Sequence, residues 1–119
     1  MYNYKAKVID IYDADTMTVE IDLGFYINYT QKIRLLGIDT PELRTKNVKE
    51  KHLAYEARDY IRDLLLDKYV TITTEKQGKY GRYLANVFYD DININNELIC
   101  KGYAKPYYGG KRETWFGDE

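Results

Sequence analysis

Two pairs of carboxylates and two arginines stand out for their spacing. Asp13 and Asp15 bracket Ala14, and Asp39 and Glu42 flank Thr40-Pro41. Brought together, such carboxylates repel one another unless a cation holds them, and hard cations take oxygen ligands that include backbone carbonyls. Pro41 pushes Thr40 out of the helical region, which can aim the Thr40 carbonyl at such an ion. Taken singly, either pair is also an ordinary turn composition, so spacing alone leaves both readings open. Arg34 lies inside the apolar run Ile33-Arg34-Leu35-Leu36, and Arg82 opens a later apolar run. A half-buried guanidinium needs an anionic partner, and its planar fork suits phosphate oxygens or a carboxylate of the same clusters.

The elements that must position these groups are readable from periodicity. Tyr4, Ala6 and Val8 alternate with polar residues, and the run from Tyr4 to Tyr12 is expected as a half-buried strand. Met17, Val19, Ile21 and Leu23 alternate with Thr18, Glu20 and Asp22 as a second strand, so Asp13-Ala14-Asp15 forms the connection. Lys32 to Ile38 is a third strand. The segment Leu43 to His52 is too charged to pack, whereas Leu53, Ala57, Tyr60, Ile61, Leu64 and Leu65 recur at helical spacing. Tyr69 to Thr74 is a fourth strand with Val70 and Ile72 inward. Gly78-Lys79-Tyr80-Gly81 turns into a fifth, Arg82 to Tyr89. Asn93 is a suitable N-cap, and Gly102 a suitable end, for a short helix. This order predicts an α+β fold: a five-stranded OB-fold barrel with one helix between strands three and four and a short helix after strand five.

At 119 residues, the chain is expected to be one domain spanning 1–119. Cys100 is the single cysteine, which excludes an intramolecular disulfide and a cysteine-built zinc site, and it is expected as a small core residue. His52, the single histidine, excludes sites that need two and is expected to be solvated. The net charge of −1 conceals a gradient. Residues 1–30 carry two bases against five acids, residues 44–58 five bases against two acids, and residues 76–112 seven bases against three acids. Such a gradient suits a cation plus a polyanion, and equally an ordinary scattered surface. No apolar stretch is long enough to span a bilayer, and Met1 to Lys5 lacks the apolar core of a signal peptide. The chain is therefore expected to stay in the cytoplasm where it is made, unless a leader has been removed.

Three blocks together carry a resemblance. Asp13-Ala14-Asp15-Thr16, Arg34-Leu35-Leu36-Gly37-Ile38-Asp39-Thr40-Pro41-Glu42 and Lys79-Tyr80-Gly81-Arg82 resemble, in order and spacing, the signature blocks of the staphylococcal nuclease (thermonuclease) family. The resemblance covers roughly residues 5 to 108. It implies that Asp15, Asp39 and the Thr40 carbonyl hold Ca2+, that Asp13 supports them from behind, and that Glu42 is the general base. It also implies that Arg34 and Arg82 grip the scissile phosphate, and that Lys79, Tyr80 and Tyr108 line the nucleotide pocket. The implied activity is calcium-dependent hydrolysis of phosphodiester bonds in DNA and RNA by a base-activated water, leaving 3′-phosphate ends.

The expected partners are single-stranded or locally open DNA and RNA; no membrane partner is expected, and the chain is expected to be a monomer. The chain departs from the family pattern in its modest charge. It also departs in the stretch Arg112 to Phe116, which stands where relatives often carry a third helix; Trp115 is expected to dock there. The alternative reading is a non-catalytic OB-fold module that binds nucleic acid or protein. Presence of Asp13, Asp15, Arg34, Asp39, Glu42 and Arg82 together favours the enzyme.

Overall fold

The computed structural model describes residues 2–77, 83–107 and Trp115. Three strands open it as an antiparallel meander: β1 (Tyr2–Asp13), β2 (Thr16–Asp22) and β3 (Asn28–Leu35). Alternation in the sequence translates into burial, with Ala6, Val8, Met17, Val19, Ile33 and Leu35 all inside. In β1 the alternation is interrupted on purpose. Val8 pairs with Val19 and Asp10 with Thr18, so Ile9 is an inserted residue, a β-bulge that lets Val8 and Ile11 both face the core. A second shift between Ile11 and Asp13 bends the strand end that carries Asp13.

The β2–β3 hairpin closes on Gly24-Phe25-Tyr26-Ile27, where the Ile27 amide donates to the Gly24 carbonyl at 2.9 Å. Phe25 and Tyr26 both lie in the left-handed region (φ 54° and 61°), the geometry of a type I′ turn.

Two further strands complete a barrel. After β3 come the short β4 (Ile38–Asp39), helix α1 (Val48–Leu65), β5 (Tyr69–Gln77) and β6 (Tyr83–Tyr89). β5 runs antiparallel to both β1 and β6, and β6 pairs in parallel with β3 through Ile33–Tyr83, Arg34–Leu84 and Leu35–Ala85. That last pairing turns the order β3-β2-β1-β5-β6 back on itself and closes a five-stranded mixed barrel, as the OB-fold expectation requires. A two-residue turn leads to β7 (Ile92–Asn93), helix α2 (Ile94–Cys100) and β8 (Lys105–Pro106), which pairs with β4. α2 ends as expected. The Tyr103 amide donates to Leu98 O and the Gly102 amide to Ile99 O, with Gly102 at φ 80°.

Three expectations need correction. Helix α1 begins at Val48, well inside the segment read as too charged to pack, because the Asn47 side chain caps it by accepting from the Glu50 amide. Its buried stripe is Glu50, Ala54, Ala57, Ile61 and Leu65, so a glutamate continues an apolar row at helical spacing. Third, Cys100 is exposed rather than a core residue. The inward face of the seven-residue α2 is set by Ile94, Asn95 and Leu98, and a residue two beyond Leu98 lies roughly opposite. His52 is exposed and pairs with Glu56 one turn on at 3.6 Å. Among the described residues, no helix is long and apolar enough to cross a membrane.

Candidate active site

The site grows from the turn between β1 and β2 and from the segment that follows β3. At the first, the Asp15 amide donates to Asp13 Oδ1 at 3.3 Å, and the Thr16 hydroxyl donates to Asp15 Oδ1 at 3.2 Å. The Asp15 carbonyl accepts from the Leu35 amide at 2.9 Å, locking this turn to the end of β3. Thr16 is the register partner of Arg34 across the β2–β3 ladder, which brings Arg34 beside Asp15.

The chain leaves β3 through Gly37, whose φ of 78° an L side chain rarely adopts. It then runs along β8: Ile38 pairs with Pro106, Asp39 with Lys105, and the Gly37 carbonyl accepts from the Tyr107 amide at 2.8 Å. This clip holds Asp39, Thr40 and Pro41 inside the protein, and Glu42 is the first exposed residue of the segment. Asn95, buried on α2, strengthens the same corner. Its amide nitrogen donates to Leu36 O at 2.8 Å and Ala85 O at 3.2 Å, while its Oδ1 accepts from the Val87 amide at 3.2 Å.

These constraints converge on one guanidinium. Arg34 Nη2 lies 3.4 Å from Asp15 Oδ2, 4.0 Å from Asp39 Oδ1 and 3.4 Å from the Ile38 carbonyl, with the Tyr107 ring 5.9 Å from its Cζ. Asp15 and Asp39 are only 7% and 9% exposed, so their charges are poorly hydrated. Asp13 adjoins Asp15; burial first, then the hydrogen bond and negative charge of Asp15, pushes its carboxyl up to about 8. Among the described residues, no three Asp, Glu, His or Cys side chains gather at ligand spacing. Asp15 and Asp39 both approach Arg34 Nη2, and Thr40 follows Asp39 in the chain, so the nearby donors are oxygens. Such a set fits a hard cation that completes its shell with carbonyl oxygen, water and substrate.

Asp15 and Asp39 are thus both brought to Arg34, with Asp13 beside Asp15, while Thr40 and Glu42 follow Asp39 on the same clipped segment. Arg82, Lys79, Tyr80 and Tyr108 lie outside the described residues. Trp115 is half-buried with Lys105 Nζ 4.7 Å from its ring, beside β8. Sequence reasoning missed two residues that shape the site, Asn95 and Glu50. Glu50 is 1% exposed, and its Oε2 accepts the Glu42 amide at 2.8 Å. Its signal was present: Asn47-x-x-Glu50 ahead of an apolar run is a capping-box pattern.

A closed five-stranded barrel with two helices, carrying buried carboxylates beside an arginine of its third strand, is an OB-type domain. The particular family follows from comparison. Residues 32–115 match the Staphylococcal nuclease homologue family, and the chain belongs to that family. Similar proteins include an uncharacterized protein of Methanocaldococcus jannaschii, 35% identical over 88% of this chain and 60% of its own length. A thermonuclease of Staphylococcus hyicus is 34% identical over 86% of this chain and 59% of its own length. An uncharacterized endonuclease of Haemophilus influenzae is 33% identical, covering 85% of this chain and 51% of its own length. The chain thus spans about half to three-fifths of the length of these relatives.

Proposed function

We propose that this chain is a calcium-dependent nuclease that hydrolyses DNA and RNA to products with 3′-phosphate ends, working as a single-domain monomer. The observation that carries the reading is the Arg34 guanidinium set between two buried carboxylates, Asp15 and Asp39, on a barrel of this family. In this reading Asp15, Asp39 and the Thr40 carbonyl hold the cation, and Asp13 supports Asp15 from behind. Calcium, when bound, supplies a positive centre that draws charge from a phosphate oxygen.

The remaining work falls to side chains. Arg34, whose Nη2 lies beside Asp15 and Asp39, would donate N–H groups of its fork to phosphate oxygens. Arg82 is assigned the same task. Their positive charge is worth most as negative charge builds on the pentacoordinate phosphorus. Glu42 accepts a proton from water as the water oxygen attacks phosphorus. The bond to the 5′ oxygen breaks, that oxygen gains a proton, and the 3′ oxygen keeps the phosphate. Lys79, Tyr80 and Tyr108 are assigned to the flanking nucleotide, with open or single-stranded segments favoured.

Incubating the chain with plasmid DNA and with single-stranded RNA tests this. Cleavage in calcium, little in magnesium, none in chelator, and 3′-phosphate ends by mass spectrometry are expected; magnesium fails because it demands tighter octahedral geometry. Full cleavage in excess chelator would overturn the calcium assignment. Binding without any cleavage would instead favour a non-catalytic recognition module.

A further inference from the structure

We propose that Glu50 is a positioning residue that aims Glu42 through the Glu42 backbone, an inference that rests on the reading of Glu42 as the general base. Glu50 occupies a place in α1 where packing alone calls for an apolar side chain. It heads the inward row Ala54, Ala57, Ile61 and Leu65, and it is 1% exposed. Sinking a carboxylate there costs several kcal/mol unless strong hydrogen bonds offset it. A leucine or methionine would fill the row without that penalty.

What the carboxylate does is specific. In a capping box, the glutamate three residues into a helix reaches back to the amide of the N-cap residue. Here half of that box is kept, since the Glu50 amide donates to Asn47 Oδ1 at 2.9 Å. The other half is redirected. The Asn47 amide donates to Thr45 Oγ1 at 3.2 Å instead, and Glu50 Oε2 accepts from the Glu42 amide at 2.8 Å.

The consequence is mechanical. Glu42 is exposed and lies in a stretch without helix or strand that runs from Thr40 to Asn47. On its N-terminal side, Asp39 is fixed by its pairing with Lys105 and Pro41 is buried. On its other side, the Glu50 carboxylate ties the Glu42 amide to a helix whose Ile61 and Leu65 lie in the barrel core. An exposed base needs such an anchor, because an error of about 1 Å in the placement of a catalytic group can cost a hundredfold in rate.

The test is a mutant cycle on the full chain, with kcat and KM for a single-stranded oligonucleotide at saturating calcium. Melting temperature and hydrogen exchange of the Glu42 amide are read on the same preparations. Glu50→Ala should lower kcat about ten- to hundredfold, with KM moved far less, and should speed exchange of the Glu42 amide. Glu50→Gln keeps an oxygen acceptor and should recover most of both losses. In a Glu42→Gln background, Glu50→Ala should cost nothing further in kcat, because the group it aims is already disabled.

If Glu50→Ala does not fold, Glu50→Asp takes its place: it keeps the buried carboxyl but withdraws the acceptor by one methylene, and should show the same background-dependent loss. Unchanged kcat in these variants, or the same fractional loss in both backgrounds, overturns the positioning role. Full activity of Glu42→Gln by itself would instead remove Glu42 as the base, and the positioning role with it.

Discussion

Arg34→Met separates the carboxylate pairing seen in the structure from the phosphate contact proposed for the same side chain. In the absence of a cation, the guanidinium neutralises Asp15 and Asp39, at 3.4 Å and 4.0 Å. In the proposed reaction it turns to phosphate. Methionine keeps the apolar stem within the strand and deletes the charge. Unit charges at these separations attract by about 1 kcal/mol each in water, and by about 4–5 kcal/mol each at an effective dielectric of 20. Arg34 is 22% exposed, so water reaches the pair and the lower part of that range applies. Deleting it should therefore return about 2 kcal/mol of negative potential to a site that a divalent cation must occupy. Calcium should bind the variant about ten- to a hundredfold more tightly, since 1.4 kcal/mol is a factor of ten. Turnover should fall by at least about a hundredfold, as for loss of a transition-state donor. Isothermal titration calorimetry with calcium alone, and a cleavage assay at saturating calcium, read the two effects separately. Calcium affinity that is unchanged or weaker would refute the argument, because the cation would then not be competing with Arg34 for Asp15 and Asp39.

Further outcomes follow from individual contacts. In chelator, the Asp13 carboxyl stays protonated in the folded state up to about 8 against an ordinary 3.8, so folding takes up a proton and stability falls as pH rises between those values. Asp13→Asn should flatten that fall and be the more stable protein at its upper end; parallel melting curves for the two proteins across the window would refute it. Asn95→Leu strips side-chain partners from Leu36 O and the Val87 amide, and should cost about 2–4 kcal/mol in urea titrations. A loss below about 1 kcal/mol would mean that the corner repacks. Replacing Phe25 and Tyr26, both strained at positive φ and almost fully exposed, by Asn-Gly should stabilise the chain by about 1–2 kcal/mol. A loss of stability on that exchange would show that the aromatic rings contribute packing.

Much of the molecule is decided within short stretches of sequence. Alternation in Met17 to Leu23 produces a strand because successive side chains on a pleated backbone point to opposite faces. Asn93 and Gly102 bound α2 because an amide oxygen can cap the first turn and a glycine can reverse the last. The candidate site was named through the family resemblance of the blocks that hold Asp13, Asp15, Arg34, Asp39, Thr40 and Glu42, since local spacing alone left an ordinary turn equally open.

Other features needed the tertiary structure. The barrel closes where β3 meets β6, a parallel pairing between residues some fifty positions apart, and no local pattern specifies which edges meet. Cys100 is exposed because a short helix has one buried face and its phase is set by what α2 packs on. Glu50 looks solvated within a charged run because its partner is a backbone amide, a group that every residue but proline carries and no sequence pattern marks. Only when α1 lies against the barrel does that amide become the one belonging to Glu42.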